Sequence, residues 1–133
     1  MNAPRKLRAL VVDDSEVSRR VLSALLHTSE VEVVAEAVTG EEALRLYGLY
    51  KPDFVLLDVV LPGIDGVTTA RFLRHQDQEA RILMCSGTLN RYKVEECRSI
   101  GVDDFLIKPY NRTSFKAFLS SVVRRHALPQ KVA

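Results

Sequence analysis

At 133 residues, the chain has room for one domain with a buried core and little else. With 47% hydrophobic and 27% charged residues it has the composition of a soluble globular protein, and no apolar run approaches the ~20 residues that cross a bilayer. A net charge of +2 makes no case for direct nucleic-acid binding, and no long apolar stretch follows the start to form a secretory signal, so the cytoplasm is the expected compartment.

Apolar runs of strand length alternate five times with stretches of helical periodicity. Leu7 to Val12 reads as the first strand. Val17, Val21, Ala24 and Leu25 mark one face of a first helix, with Ser15 as its cap. Val31 to Ala35 reads as the second strand, and Thr39 followed by Glu42 is a capping box opening a helix through Ala43, Leu46 and Tyr47. Pro52 breaks the chain before a third strand, Phe54 to Leu57. Pro62-Gly63 and Asp65-Gly66 are turn signals, with Asp65 the N-cap of a helix through Ala70 and Leu73. Arg81 to Cys85 is the fourth strand; Val94, Cys97 and Ile100 give a fourth helix, stopped by Gly101. Phe105 to Ile107 is a short fifth strand, and Asn111 caps a last helix whose inner face is Phe115, Phe118, Leu119 and Val122. Residues 1–127 form the expected domain, and 128–133 a tail or the start of a linker.

Strands alternating with helices imply an α/β fold, a parallel sheet covered on both faces. Strands one, three and four are nearly continuous apolar runs, as doubly covered strands require. Cys85 and Cys97 read as buried free thiols rather than a disulfide or a metal pair. His27, His75 and His126 each fall near a predicted helix C-terminus, where the helix dipole accounts for them, and no ligand spacing unites them.

The chemistry collects where strands end. Asp13 and Asp14 follow the first strand, Asp58 the third, Ser86 the fourth and Lys108 the fifth. In an open parallel sheet, ligands bind at the carboxyl ends of the strands. Singly, each residue is a cap, a turn residue or a surface charge. Together they place three carboxylates, a hydroxyl and an ammonium at one edge. At ~4 Å and an effective dielectric near 20, each like-charge pair costs about 4 kcal/mol. Lys108 offsets one charge of three, so a hard divalent cation is the natural complement, and Mg²⁺ commonly binds through one or two carboxylates plus phosphate oxygens. The residues themselves therefore point to a Mg²⁺-dependent phosphoryl acceptor with Asp58 as nucleophile.

The segments Val11-Val12-Asp13-Asp14-Ser15, Leu56-Leu57-Asp58 through Gly66, Ser86-Gly87 and Lys108-Pro109 resemble, in that order, the receiver domain of two-component response regulators. The resemblance implies a flavodoxin-like, doubly wound five-stranded sheet of order 2-1-3-4-5 with five helices. It implies Asp58 as phosphoacceptor, and Asp13, Asp14, Asp58 and the backbone carbonyl of Val60 as ligands of Mg²⁺, for which Mn²⁺ can substitute. Ser86 and Lys108 correspond to the groups that bind the phosphoryl oxygens, and the bond before Pro109 is expected to be cis. Phe105 stands where the family carries an aromatic switch, often tyrosine; phenylalanine keeps the packing part of that switch and lacks the hydroxyl. Val60 and Thr88 flank the site and tune dephosphorylation, and an apolar Val60 implies slow loss of phosphate.

The implied partners are a sensor histidine kinase or phosphotransfer protein and a downstream target. The output face would be the fourth helix, fifth strand and fifth helix, with Arg91, Tyr92, Lys93, Asp104, Tyr110 and Arg112 as members. A phosphorylation-dependent homodimer is left open, and a stand-alone regulator is preferred narrowly over the front of a longer protein. The implied role is a phosphoacceptor and not an enzyme. Two other readings compete. A hydrolase of the dehalogenase type would need Asp-x-Asp after the first strand, whereas here the acids are adjacent. A docking module that never sees phosphate would usually have lost an acid or the lysine.

Overall fold

The computed structural model describes residues 5–88 and 90–125. Ten elements alternate along the chain: β1 (Leu7–Val12), α1 (Glu16–Thr28), β2 (Val31–Ala37), α2 (Gly40–Tyr50), β3 (Phe54–Asp58), α3 (Gly66–Gln76), β4 (Ile82–Ser86), α4 (Arg91–Ile100), β5 (Asp104–Ile107) and α5 (Arg112–Arg125). The strands form one parallel sheet of order β2-β1-β3-β4-β5, the doubly wound arrangement expected from the sequence.

Side-chain alternation divides the core in two. Leu10, Val12, Val55, Leu57, Ile82 and Met84 point to the face covered by α2, α3 and α4. Ala9, Val11, Phe54, Leu56, Leu83 and Cys85 point to the face covered by α1 and α5. The middle strands β3 and β4 are buried along their whole length, which is why their sequences do not alternate.

The helix signals are realised by hydrogen bonds to otherwise unpaired amides. Ser15, Thr39, Asp65 and Asn111, the expected caps, each accept from the amide three residues on, and Asn90, not expected from the sequence, does the same for α4. The Glu42 carboxylate reaches back one residue further than a capping box requires, accepting the amide of Val38 at 2.9 Å rather than that of the cap Thr39. Gly101 closes α4 with φ +90°, a left-handed conformation that favours glycine.

The first helix departs from the sequence reading. Its buried residues are Leu22 and Leu26, while Val17 and Val21 are 72% and 43% exposed and Ala24 is also on the outside. Apolar residues occupy two adjoining stripes of α1, and its docking on the sheet and α5 selects the one containing Leu22 and Leu26. Both cysteines are buried free thiols. His27 and His75 lie in the last turns of α1 and α3; His126 and the 128–133 tail lie outside the described residues. Among the described residues no helix is long and apolar enough to cross a membrane.

Candidate functional site

The order β2-β1-β3-β4-β5 sets the ends of β1, β3, β4 and β5 side by side. Carboxylate oxygens of Asp13, Asp14 and Asp58 lie within 4.8 Å of one another. Lys108 reaches across from the end of β5, its Nζ donating to Asp13 Oδ2 at 2.9 Å and to Asp58 Oδ2 at 3.1 Å. The bond between Lys108 and Pro109 is cis.

The acids are not equivalent. Asp13 is 2% exposed, and every polar group it carries has a partner. Its amide donates to Ala37 O at 3.0 Å, Oδ1 accepts the Ser15 amide at 2.9 Å, Oδ2 accepts Lys108, and its carbonyl accepts Arg19 Nη1 at 2.7 Å. Asp14 is exposed at the rim. Asp58, on the central strand, is buried between its neighbours. Burial, and then the charge of Asp13, push its carboxyl above the ordinary carboxylate range, against the opposing pull of Lys108 and the Val60 amide. Burial disfavours the charge on Lys108, but the two carboxylates outweigh it and hold its pKa above the usual lysine value.

Three oxygen-donor carboxylates converging this closely suit a hard divalent cation and no soft metal. Val60, two residues past Asp58, is 71% exposed, and its amide bonds the Asp58 carboxylate.

Ser86 lies at the same edge, but its hydroxyl is engaged with its own loop: Oγ donates to the Thr88 carbonyl at 2.6 Å and accepts the Thr88 amide at 3.1 Å. Phe105 is half-buried against the α2–α3–α4 side of the core. On the proposed output face Tyr92 and Ile107 are 83% and 53% exposed. Tyr110 differs from an ordinary surface residue, because it packs on the other core cluster with its hydroxyl buried beside the Cys85 thiol. Burial pushes that thiol up to about 12, so Cys85 is a packing residue and no nucleophile.

The sequence reading missed Arg19. Its only signal there is position, one turn into the helix that follows the acid pair, and nothing in the periodicity says that its side chain turns back onto Asp13.

A five-stranded parallel sheet carrying an acid triad and a lysine at the strand ends defines a class of protein, and the comparisons agree on which. Residues 9–120 match the family model of the response regulator receiver domain. The chemotaxis protein CheY of Bacillus subtilis is 36% identical over 103 residues, covering 77% of this chain and 86% of that protein. Among solved structures, a chain of the CheX–CheY–BeF3–Mg²⁺ complex from Borrelia burgdorferi superposes with a TM-score of 0.85 at 28% identity, covering 89% of this chain and 90% of that one. The response regulator domain of Thermotoga maritima CheB superposes with a TM-score of 0.83 at 26% identity, covering 93% and 98%. The chain belongs to the response regulator receiver family, whose members act in two-component, phosphorylation-based signalling.

Proposed function

We propose that Asp58 accepts a phosphoryl group from a histidine-phosphorylated donor protein, and that the acyl phosphate switches the face formed by α4, β5 and α5. The observation that carries this reading is the convergence of three carboxylates within 4.8 Å with one lysine bonded to two of them. Asp13, Asp14 and Asp58, with the carbonyl of Val60, are the groups that would hold Mg²⁺, which when bound neutralises phosphoryl oxygens.

Asp58 is the nucleophile because it ends the central strand, beside the acid pair that follows β1 and with Lys108 bonded to its carboxylate. An oxygen–phosphorus bond forms at its carboxylate as the phosphorus–nitrogen bond to the donor imidazole breaks; that nitrogen keeps the electron pair and takes a proton from solvent. Lys108 turns from Asp58 to a phosphoryl oxygen, exchanging one charge-assisted hydrogen bond for another. The Ser86 hydroxyl turns to a second oxygen and gives up Thr88. Among the described residues, and apart from its chain neighbours, no atom comes within 4 Å of where a side chain on Gly87 would begin, which leaves the loop room to shift. Phe105 then repacks, and the surface holding Tyr92 and Ile107 changes shape for a target protein.

The donor must bring its phosphohistidine to bonding distance, so its surface covers the rim of the site. An apolar groove of about 490 Å³ lies there, between the start of α1 and the turn after β5, with Val17, Val21 and Pro109 in its lining and Lys108 at its edge. It is the natural seat for that donor.

The test is incubation with a small-molecule phosphodonor, with and without Mg²⁺, followed by intact mass beside an Asp58→Ala variant. A Mg²⁺-dependent gain of one phosphoryl group in the parent alone is the expected result. No gain under any condition would overturn the reading in favour of a phosphorylation-independent docking module.

A further inference from the structure

We propose that Arg19 is a positioning residue for the divalent-cation site, fixing the peptide between Asp13 and Asp14 so that both carboxylates face the ion. The proposal rests on the reading of the acid cluster as that site.

Adjacent residues leaving a strand send their side chains to opposite sides. Asp13 is buried and Asp14 exposed, as that alternation demands, yet their carboxylates meet within 4.8 Å. The peptide joining them must therefore be held in a particular turn. The carbonyl of Asp13 belongs to that peptide, and Arg19 Nη1 donates to it at 2.7 Å. The same guanidinium is anchored from the other side, its Nε donating to Glu36 on β2 at 3.2 Å, and the side chain is only 16% exposed. One planar group thus ties the first turns of α1 and the end of β2 to the turn that carries the acid pair.

Arg19 and Lys108 divide the work. Lys108 binds the carboxylates of Asp13 and Asp58 themselves and must give way when a cation or a phosphoryl group enters. Arg19 binds the backbone beneath them and keeps its bond throughout. The next residue supplies a control: among the described residues Arg20 pairs only with Glu16, on the open side of α1, with both side chains more than half exposed.

The experiment is calorimetric titration of Mg²⁺ into the parent, Arg19→Met, Arg19→Lys and Arg20→Met, with circular dichroism of each in the absence of metal. Methionine keeps the volume of the arginine stem and removes its donors. A charge-assisted hydrogen bond of ordinary strength supports an affinity change of about tenfold or more. The expected result is Mg²⁺ binding weakened at least about tenfold in Arg19→Met, only partly recovered in Arg19→Lys, whose single ammonium cannot reach both the Asp13 carbonyl and Glu36, and unchanged in Arg20→Met, with all four folded. Equal affinity in the parent and Arg19→Met overturns the proposal, as does an Arg19→Met protein that is unfolded without metal, which would assign the residue to the scaffold. A parent that binds no Mg²⁺ overturns the site reading itself, an outcome distinct from both.

Discussion

Replacing Asp58 with asparagine preserves its shape, exchanges one acceptor oxygen for an amide donor, and removes one of three crowded charges. At the 4.8 Å limit that encloses the carboxylates, with an effective dielectric near 20, each like-charge pair costs about 3.5 kcal/mol. Lys108, 3.1 Å from Asp58, returns about 5 kcal/mol on the same scale. On this scale the pull of Lys108 offsets the push of Asp13, and burial, the largest cause of the raised carboxyl, leaves the charged form of Asp58 disfavoured. Because the carboxyl of Asp58 titrates above the ordinary range, the folded state keeps a proton there after the unfolded chain has lost it. The resulting cost to stability is absent below the ordinary carboxylate pKa of about 4 and grows as pH rises through the raised value. Thermal unfolding at neutral pH without Mg²⁺ is expected to place Asp58→Asn about 5 °C above the parent. The gap should narrow toward pH 4, and Mg²⁺ should raise the parent more than the variant. A variant that melts below the parent at neutral pH, or a gap that widens on acidification, would refute the electrostatic account of the site.

Three further outcomes follow from the same geometry. Lys108→Met removes the cation that competes for Asp13 and Asp58, so Mg²⁺ should bind several-fold more tightly by calorimetry, while phosphoryl uptake slows about 10- to 100-fold for want of one charged hydrogen bond. Val60→Asn places an exposed amide two residues past Asp58, where it can orient water; loss of phosphate, followed by intact mass, should quicken on the order of tenfold, the worth of one hydrogen bond. Val17→Glu puts a charge in the apolar groove and should slow transfer from a phosphorylated donor protein while leaving uptake from a small-molecule phosphodonor at the parent rate. Equal slowing of both would count against the groove as the donor's seat.

Much of the fold is legible locally, because the devices that start and stop its elements are local. Ser15, Asp65 and the Thr39–Glu42 pair act within four residues, and Gly101 acts through its own φ. The strands extend past their expected ends by a residue or two: Asp58 and Ser86 prove to be the last residues of β3 and β4. Their backbone bonding continues after the apolar run stops, and composition carries no mark of that.

The sequence by itself determined that strands and helices alternate and that Asp13, Asp14, Asp58, Ser86 and Lys108 stand at strand ends, because periodicity and strand-end position are properties of short segments. Only the tertiary structure decided which stripe of α1 faces inward, leaving Val17 and Val21 beside the site instead of in the core. It also decided that Arg19 bonds the Asp13 carbonyl, that the Ser86 hydroxyl is held by Thr88, and that Lys108 spans two carboxylates. Lys108 lies 95 residues from Asp13 and 50 from Asp58. Contacts at that separation are fixed by the order of strands in the sheet and the docking of helices upon it, and these come from the packing of the whole chain rather than from any window of it.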